Sequence, residues 1–134
     1  MRADKPKRHI LVADDDEVLC DLLQVLLANE GFSVAVARDG DEVLMAVGLR
    51  KPDLIVLDIM IPGLSGFDLL RTLQADTALR DIPVVMLSAR SGERDQVQAF
   101  DFGASDFIAK PFRVEELGTR IKRVLARRSA ETPG

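Results

Sequence analysis

Residues 51–58 read Lys51-Pro52-Asp53-Leu54-Ile55-Val56-Leu57-Asp58, and this octet decides the fold. Lys51-Pro52-Asp53 breaks a helix, because proline has no amide hydrogen to donate and its ring clashes with the turn before it. Four apolar residues follow without polar alternation, the pattern of a strand buried on both faces. An acid then ends the run. The pattern recurs upstream, where Ile10-Leu11-Val12-Ala13 runs into Asp14-Asp15. It recurs downstream, where Val84 to Leu87 ends at Ser88 and Phe107-Ile108-Ala109 ends at Lys110-Pro111.

Between these runs the spacing turns helical. A first strand over 9–13 leads through Asp14 to Glu17 into a helix ending near Asn29, stopped by Gly31. Its Val18, Leu19, Leu22, Leu23, Leu26 and Leu27 recur at three and four and are the expected core face. A second strand covers 32–37, and Asp39 caps a helix carrying Val43, Leu44 and Val47. Strand 54–58, helix 66–75, strand 84–88, helix 93–102, strand 105–109 and helix 113–127 complete the order. Five βα units predict one doubly wound α/β domain with a parallel sheet, helices on both faces and right-handed crossovers. The domain is expected over 9–127. Residues 1–8 read as a flexible N-terminus, and 128–134 as a tail or the start of a linker.

Composition narrows the class. At 134 residues, 47 % apolar and 30 % charged, the chain suits a single globular domain with a real core. No apolar stretch approaches the roughly 18 residues of a membrane span, and none resembles a signal peptide, so a cytoplasmic location is expected. The single cysteine, Cys20, excludes an internal disulfide and reads as a buried, inert thiol. A net charge of −4 disfavours unaided nucleic-acid binding.

In an open parallel sheet, ligands bind outside the carboxyl ends of the strands. Asp14, Asp15, Asp58 and Lys110 are therefore expected at one edge. A lone strand-end aspartate is ordinarily a turn or helix cap. Three of them at neighbouring strand ends repel one another unless a cation relieves the charge. Magnesium (or manganese) suits such a site, since it accepts one or two carboxylates and keeps several waters. His9 and Cys20 stand alone, so no histidine or cysteine cluster competes for zinc. Asp16 falls at the helix start, where a carboxylate complements the dipole. Lys110 is by default a solvated lysine, but beside acids its ammonium pairs with Asp58. The bond to Pro111 has access to the cis form at modest cost, which would turn the lysine inward. Ser88 is either a turn serine or a hydroxyl donor at the same edge.

Four stretches, HILVADDDEVLCDLL, PDLIVLDIMIPGLSGFDLL, IPVVMLSAR and GASDFIAKPF, resemble the response-regulator receiver domain of two-component signalling in order and spacing. The resemblance spans residues 9–127. It implies a flavodoxin-like strand order 2-1-3-4-5 with five helices. It implies Asp58 as phosphoacceptor, with Asp15, Asp58 and the Met60 main-chain carbonyl as metal ligands and Asp14 acting through water. It further implies Ser88 as switch hydroxyl, Phe107 as switch aromatic and Lys110 as the phosphate-contacting lysine. The partner implied is a histidine kinase or phosphotransfer protein, docking on the first helix and the loop around Lys110-Pro111. Output would use the face of fourth helix, fifth strand and last helix, with a homodimer on phosphorylation and an Asp106–Arg120 ion pair. Phe107 lacks the hydroxyl, and Ser88 the methyl group, often found at those positions. Met60 and Arg90, two residues past Asp58 and Ser88, flank the path of an attacking water and are expected to slow dephosphorylation.

Such a chain is a signalling domain rather than an enzyme. One alternative is a degenerate receiver that binds partners without phosphorylation. Another is a phosphatase of the haloacid-dehalogenase type, which would need an acid where Met60 stands. No glycine-rich phosphate loop ending in Lys-Ser or Lys-Thr occurs.

Overall fold

The structure, a computed structural model, describes residues 7–89 and 92–131. Five strands, β1 (His9–Ala13), β2 (Ser33–Ala37), β3 (Leu54–Asp58), β4 (Val84–Ser88) and β5 (Asp106–Ala109), form one parallel sheet in the order β2-β1-β3-β4-β5. Five helices alternate with them: α1 (Glu17–Asn29), α2 (Gly40–Leu49), α3 (Gly66–Ala75), α4 (Glu93–Asp101) and α5 (Val114–Glu131). The expected fold class and strand order are both found.

Helices cover both faces, which explains the unbroken apolar runs. Ile10, Val12, Leu54 and Val56 pack towards Cys20, Leu23 and Leu27 of α1 and Leu117 and Ile121 of α5. Their neighbours Leu11, Ala13, Ile55 and Leu57 pack the other way, onto Val43 and Val47 of α2 and Leu69, Leu70 and Leu73 of α3. Register then sets the site. Ala13 lies opposite Leu57, Asp58 opposite Leu87, and Ser88 opposite Ala109. The residues that close β1, β3, β4 and β5 are thus brought to one sheet edge.

The helix caps match the sequence. Asp16 accepts from the amides of Val18 and Leu19, Asp39 from Glu42, and Ser65 from Asp68. Gly31, at φ 96°, turns the chain out of α1 where a side chain would be strained.

Three expectations are corrected. Val18 and Leu22 do not belong to the core face of α1; they are 69 % and 51 % exposed, and Cys20, Leu23 and Leu27 are buried instead. The helix is apolar on most sides, so period alone cannot choose its buried stripe. Leu44 of α2 is likewise outward. Helix α5 runs four residues past the expected Arg127, because Arg128-Ser129-Ala130-Glu131 holds no helix breaker. Just ahead of β1, the Arg8 carbonyl accepts from the Ser33 amide at 2.8 Å. The remaining tail assignments, 1–6 and 132–134, lie outside the described residues.

Candidate functional site

Asp14 is the first residue beyond β1 and is fully buried. Its amide still donates to the Ala37 carbonyl at 3.1 Å, which extends the β1–β2 ladder and aims the side chain inward. One carboxylate oxygen, Oδ1, accepts from the Asp16 amide at 3.0 Å; the other, Oδ2, accepts from Lys110 Nζ at 2.8 Å. Asp58 ends β3 and is 4 % exposed. Its Oδ1 accepts from the Met60 amide at 2.9 Å and its Oδ2 from Lys110 Nζ at 2.8 Å. One ammonium therefore bridges two buried carboxylates.

Lys110 is placed by β5. Its amide donates to the Ser88 carbonyl at 2.7 Å, and the peptide bond to Pro111 is cis. Ser88 is fully buried at the end of β4, and Phe107 is buried on the α2–α3–α4 side of the sheet. Asp15 is exposed at the rim beside Asp14. Met60, 59 % exposed, projects from the loop after Asp58. Arg90 lies outside the described residues.

Burial and charge compete here. Burial pushes the Asp14 carboxyl above its usual range, Lys110 pulls it back, and the nearby Asp58 raises it further. At Lys110, burial alone would lower the value, but the bonds to Asp14 and Asp58 outweigh it and hold the ammonium above its ordinary range. Cys20 donates its thiol to the Asp14 main-chain carbonyl at 3.3 Å. Burial, then the charge on Asp14, push that thiol to about 11, so it is a protonated packing group at neutral pH.

Carboxylate oxygens of Asp14, Asp15 and Asp58 lie within 4.8 Å of one another. Three acids against one lysine leave uncompensated negative charge, and an all-oxygen donor set fits a small hard cation. His9 is no competitor: it starts β1, and its amide donates to Asp53 at the opposite sheet edge. A groove of about 420 Å³, lined by Asp16, Leu19, Ala89, Lys110, Pro111 and Phe112, opens beside the acids. The bond from Lys110 to Asp14 was not foreseen from sequence, which paired the lysine with Asp58 alone.

A family model described as "Response regulator receiver domain" matches residues 10–122. The DNA-binding response regulator MtrA of Mycobacterium tuberculosis is 42 % identical over 128 residues, covering 96 % of this chain and 55 % of that protein. The alkaline phosphatase synthesis transcriptional regulatory protein PhoP of Bacillus subtilis is 39 % identical over 126 residues, covering 94 % and 52 %. The chain thus spans about half the length of these curated relatives. Among solved structures, a CheY-like response regulator receiver domain protein from Methanospirillum hungatei superposes with a TM-score of 0.88 at 25 % identity, covering 95 % of this chain and all of that one. NtrX from Brucella abortus gives 0.85 at 34 % identity, covering 94 % and 28 %.

Proposed function

The chain belongs to the response regulator receiver family, the signalling domain of two-component systems, and on that premise we propose that Asp58 is its phosphoacceptor. The observation that carries the reading is the Lys110 ammonium shared between Asp14 and Asp58 inside a cluster of three acids. An Asp58 oxygen attacks the phosphorus of a phosphohistidine. The phosphorus–nitrogen bond breaks, the imidazole leaves with the electron pair and takes a proton, and an aspartyl phosphate remains. Positioning and charge neutralisation supply the catalysis. Asp15, Asp58 and the Met60 main-chain carbonyl would hold magnesium or manganese, with Asp14 acting through water. Bound there, the cation would neutralise charge on the transferring group. Lys110 and the Ser88 hydroxyl are the groups assigned to the phosphoryl oxygens.

The phosphoryl donor is a histidine kinase or phosphotransfer protein in the cytoplasm. Val18, Leu22 and Val25 form an exposed apolar stripe on α1, and the groove beside Leu19, Pro111 and Phe112 lies at the acid site; together they suit an amphipathic partner helix. Phosphorylation shifts the population of a second conformation, with Phe107 as the buried switch aromatic, and alters the α4-β5-α5 face. On that face Arg120 bonds Asp106 at 3.1 Å and Glu116 at 3.1 Å within one chain. A phosphorylation-dependent homodimer would redistribute these charges between protomers. An exposed pair is worth only about 0–1 kcal/mol, so apolar contacts from Val97 and Phe100 must add to it. Met60 and Arg90 are assigned to slowing hydrolysis. DNA binding is named for relatives such as MtrA; for this chain, of net charge −4, no direct nucleic-acid contact is assigned to the receiver domain.

The phosphatase alternative fails on chemistry, because the thioether of Met60 cannot transfer a proton. A degenerate receiver is not favoured either, since each pocket residue type is present. The test is incubation with acetyl phosphate, with and without magnesium, followed by intact mass. The parent should gain one phosphoryl group only with magnesium, and Asp58→Asn none. A variant that gains it like the parent would sink the assignment.

A further inference from the structure

The phosphoacceptor has a tight neighbour that carries no side chain. Gly66, the first residue of α3, donates its amide to the Ile59 carbonyl at 2.8 Å. A Cβ at this position would lie 2.5 Å from the Asp58 main-chain oxygen, 2.6 Å from Ile59 Cα and 3.1 Å from the Asp58 carbonyl carbon. These are backbone atoms and cannot swing aside as a side-chain tip does. Nor can the strand retreat, because the Ile59 amide is bonded to the Leu87 carbonyl of β4 at 2.9 Å. Positive-φ glycines among the described residues are Gly31, Gly63 and Gly103, so Gly66 answers a need for space and not for left-handed backbone.

We propose that Gly66 is a positioning residue for the acid site, one that lets α3 seat against the back of the Asp58–Ile59 peptide and so fixes both Asp58 and the Met60 carbonyl before any cation arrives. The assignment deepens the phosphoacceptor reading and rests on it. Asp58 Oδ1 is tied to the Met60 amide at 2.9 Å, so a shift of this backbone moves carboxylate and loop together and disturbs the 2.8 Å contact of Asp58 with Lys110. The far end of the same loop is pinned separately, by the Gly40 amide on the Pro62 carbonyl at 3.0 Å. A Cβ on Gly40 would meet Leu64 Cβ at 2.7 Å, a comparable crowding that involves no atom of Asp58 to Met60. The two glycines therefore separate crowding in general from displacement of the phosphoacceptor.

The experiment compares the parent, Gly66→Ala and Gly40→Ala. Melting is followed against magnesium concentration, and intact mass is recorded after acetyl phosphate. Both variants should melt lower without magnesium. Gly66→Ala should weaken magnesium binding by about tenfold or more, the size seen when groups supporting metal ligands are removed, and should accept phosphate more slowly at equal magnesium. Gly40→Ala should keep the parent's magnesium affinity. A Gly66→Ala protein with parental magnesium affinity and phosphorylation rate overturns the assignment while leaving Asp58 as acceptor; a parent that takes up neither magnesium nor phosphate removes both. Amide hydrogen exchange on the parent supplies the arm that survives a misfolded variant. The Gly66 amide should be as protected as those of β3 in metal-free protein, and protection appearing only with magnesium overturns preorganisation.

Discussion

At Lys110 one ammonium faces two buried carboxylates, and the consequence of removing it follows from that count. Breaking a buried pair typically costs about 3–5 kcal/mol by leaving charge unpaired. Lys110 is 22 % exposed, so Lys110→Ala should cost about 3 kcal/mol or less in metal-free protein. Magnesium should recover more of that variant's stability than it adds to the parent, as read by urea unfolding with and without the ion. Equal increments in both would deny that lysine and cation neutralise the same acids. Neighbouring aspartates should separate cleanly. Asp15→Ala should remove most of the magnesium-induced shift in melting, whereas Asp16→Ala should keep it and cost about 1 kcal/mol through the lost α1 cap. Asp58 and Lys110 were legible because each terminates an apolar run. The Lys110–Asp14 bond was not, since 96 residues and two intervening strands separate the partners. Only the register of β1, β3, β4 and β5 taken together brings them within reach.

Helices differ in how firmly the sheet holds them. Helix α3 buries Gly66, Leu69, Leu70 and Leu73 and has a serine cap; α4 buries only Asp95 and Ala99, and its cap residue, Gly92, offers no side-chain bond. Little apolar area and an uncapped end mark a low-stability segment. Amide exchange in α4 should accordingly be faster than in α1 or α3, and uniform protection across the three helices would refute that order. Such a helix is suited to the repacking expected of the α4-β5-α5 face. Helix α1 shows where sequence reading reached its limit. Six apolar positions at helical spacing were assigned inward, yet Val18 and Leu22 face solvent. A helix apolar on most sides gives no unique phase, and the choice is made by α5, which the structure packs beside Leu26 at Gly118. The misassigned residues become informative: Leu22→Glu should leave stability within about 0.5 kcal/mol, as for a surface change. It should slow phosphotransfer from a kinase while leaving the acetyl phosphate reaction intact. Equal slowing of both reactions would remove the stripe from the docking surface.

The whole molecule has two chemically distinct ends because parallel strands gather all their carboxyl ends on one side. That end was readable from strand-terminal residues alone. The amino end was not, since the groups there are set by turns such as Lys51-Pro52-Asp53 as well as by strands, and the sequence leaves that turn geometry open. Among them is His9, buried at the start of β1, with Nδ1 3.1 Å from Ser33 Oγ. Burial and the charge of Arg50 hold its pKa below 6.5, against smaller raising effects of Ser33 and Asp53. Below 6.5 the unfolded chain therefore takes up a proton that the folded chain resists, so stability is full above 6.5 and falls as pH drops towards the folded value. Lys110 acts at the other limit. Its raised pKa contributes stability below 10.5 that is lost as pH climbs through the folded value. The Cys20 thiol sets the upper limit sooner: pushed from 9.0 to about 11 in the fold, it ionises first in the unfolded chain, so metal-free protein should be most stable on a plateau from about pH 7 to about pH 8.5. Asp14 opposes acid loss, since its raised pKa favours the folded state as it protonates above 3.8, so any decline just below 6.5 belongs to His9. One group can impose at most about 1.4 kcal/mol per pH unit. In urea unfolding between pH 7 and 5.5, the parent should lose stability with a slope under that limit, and His9→Gln should be flat. A variant declining in parallel with the parent would assign the slope elsewhere, and a parent that is flat over the range would show that His9 protonates freely in the fold.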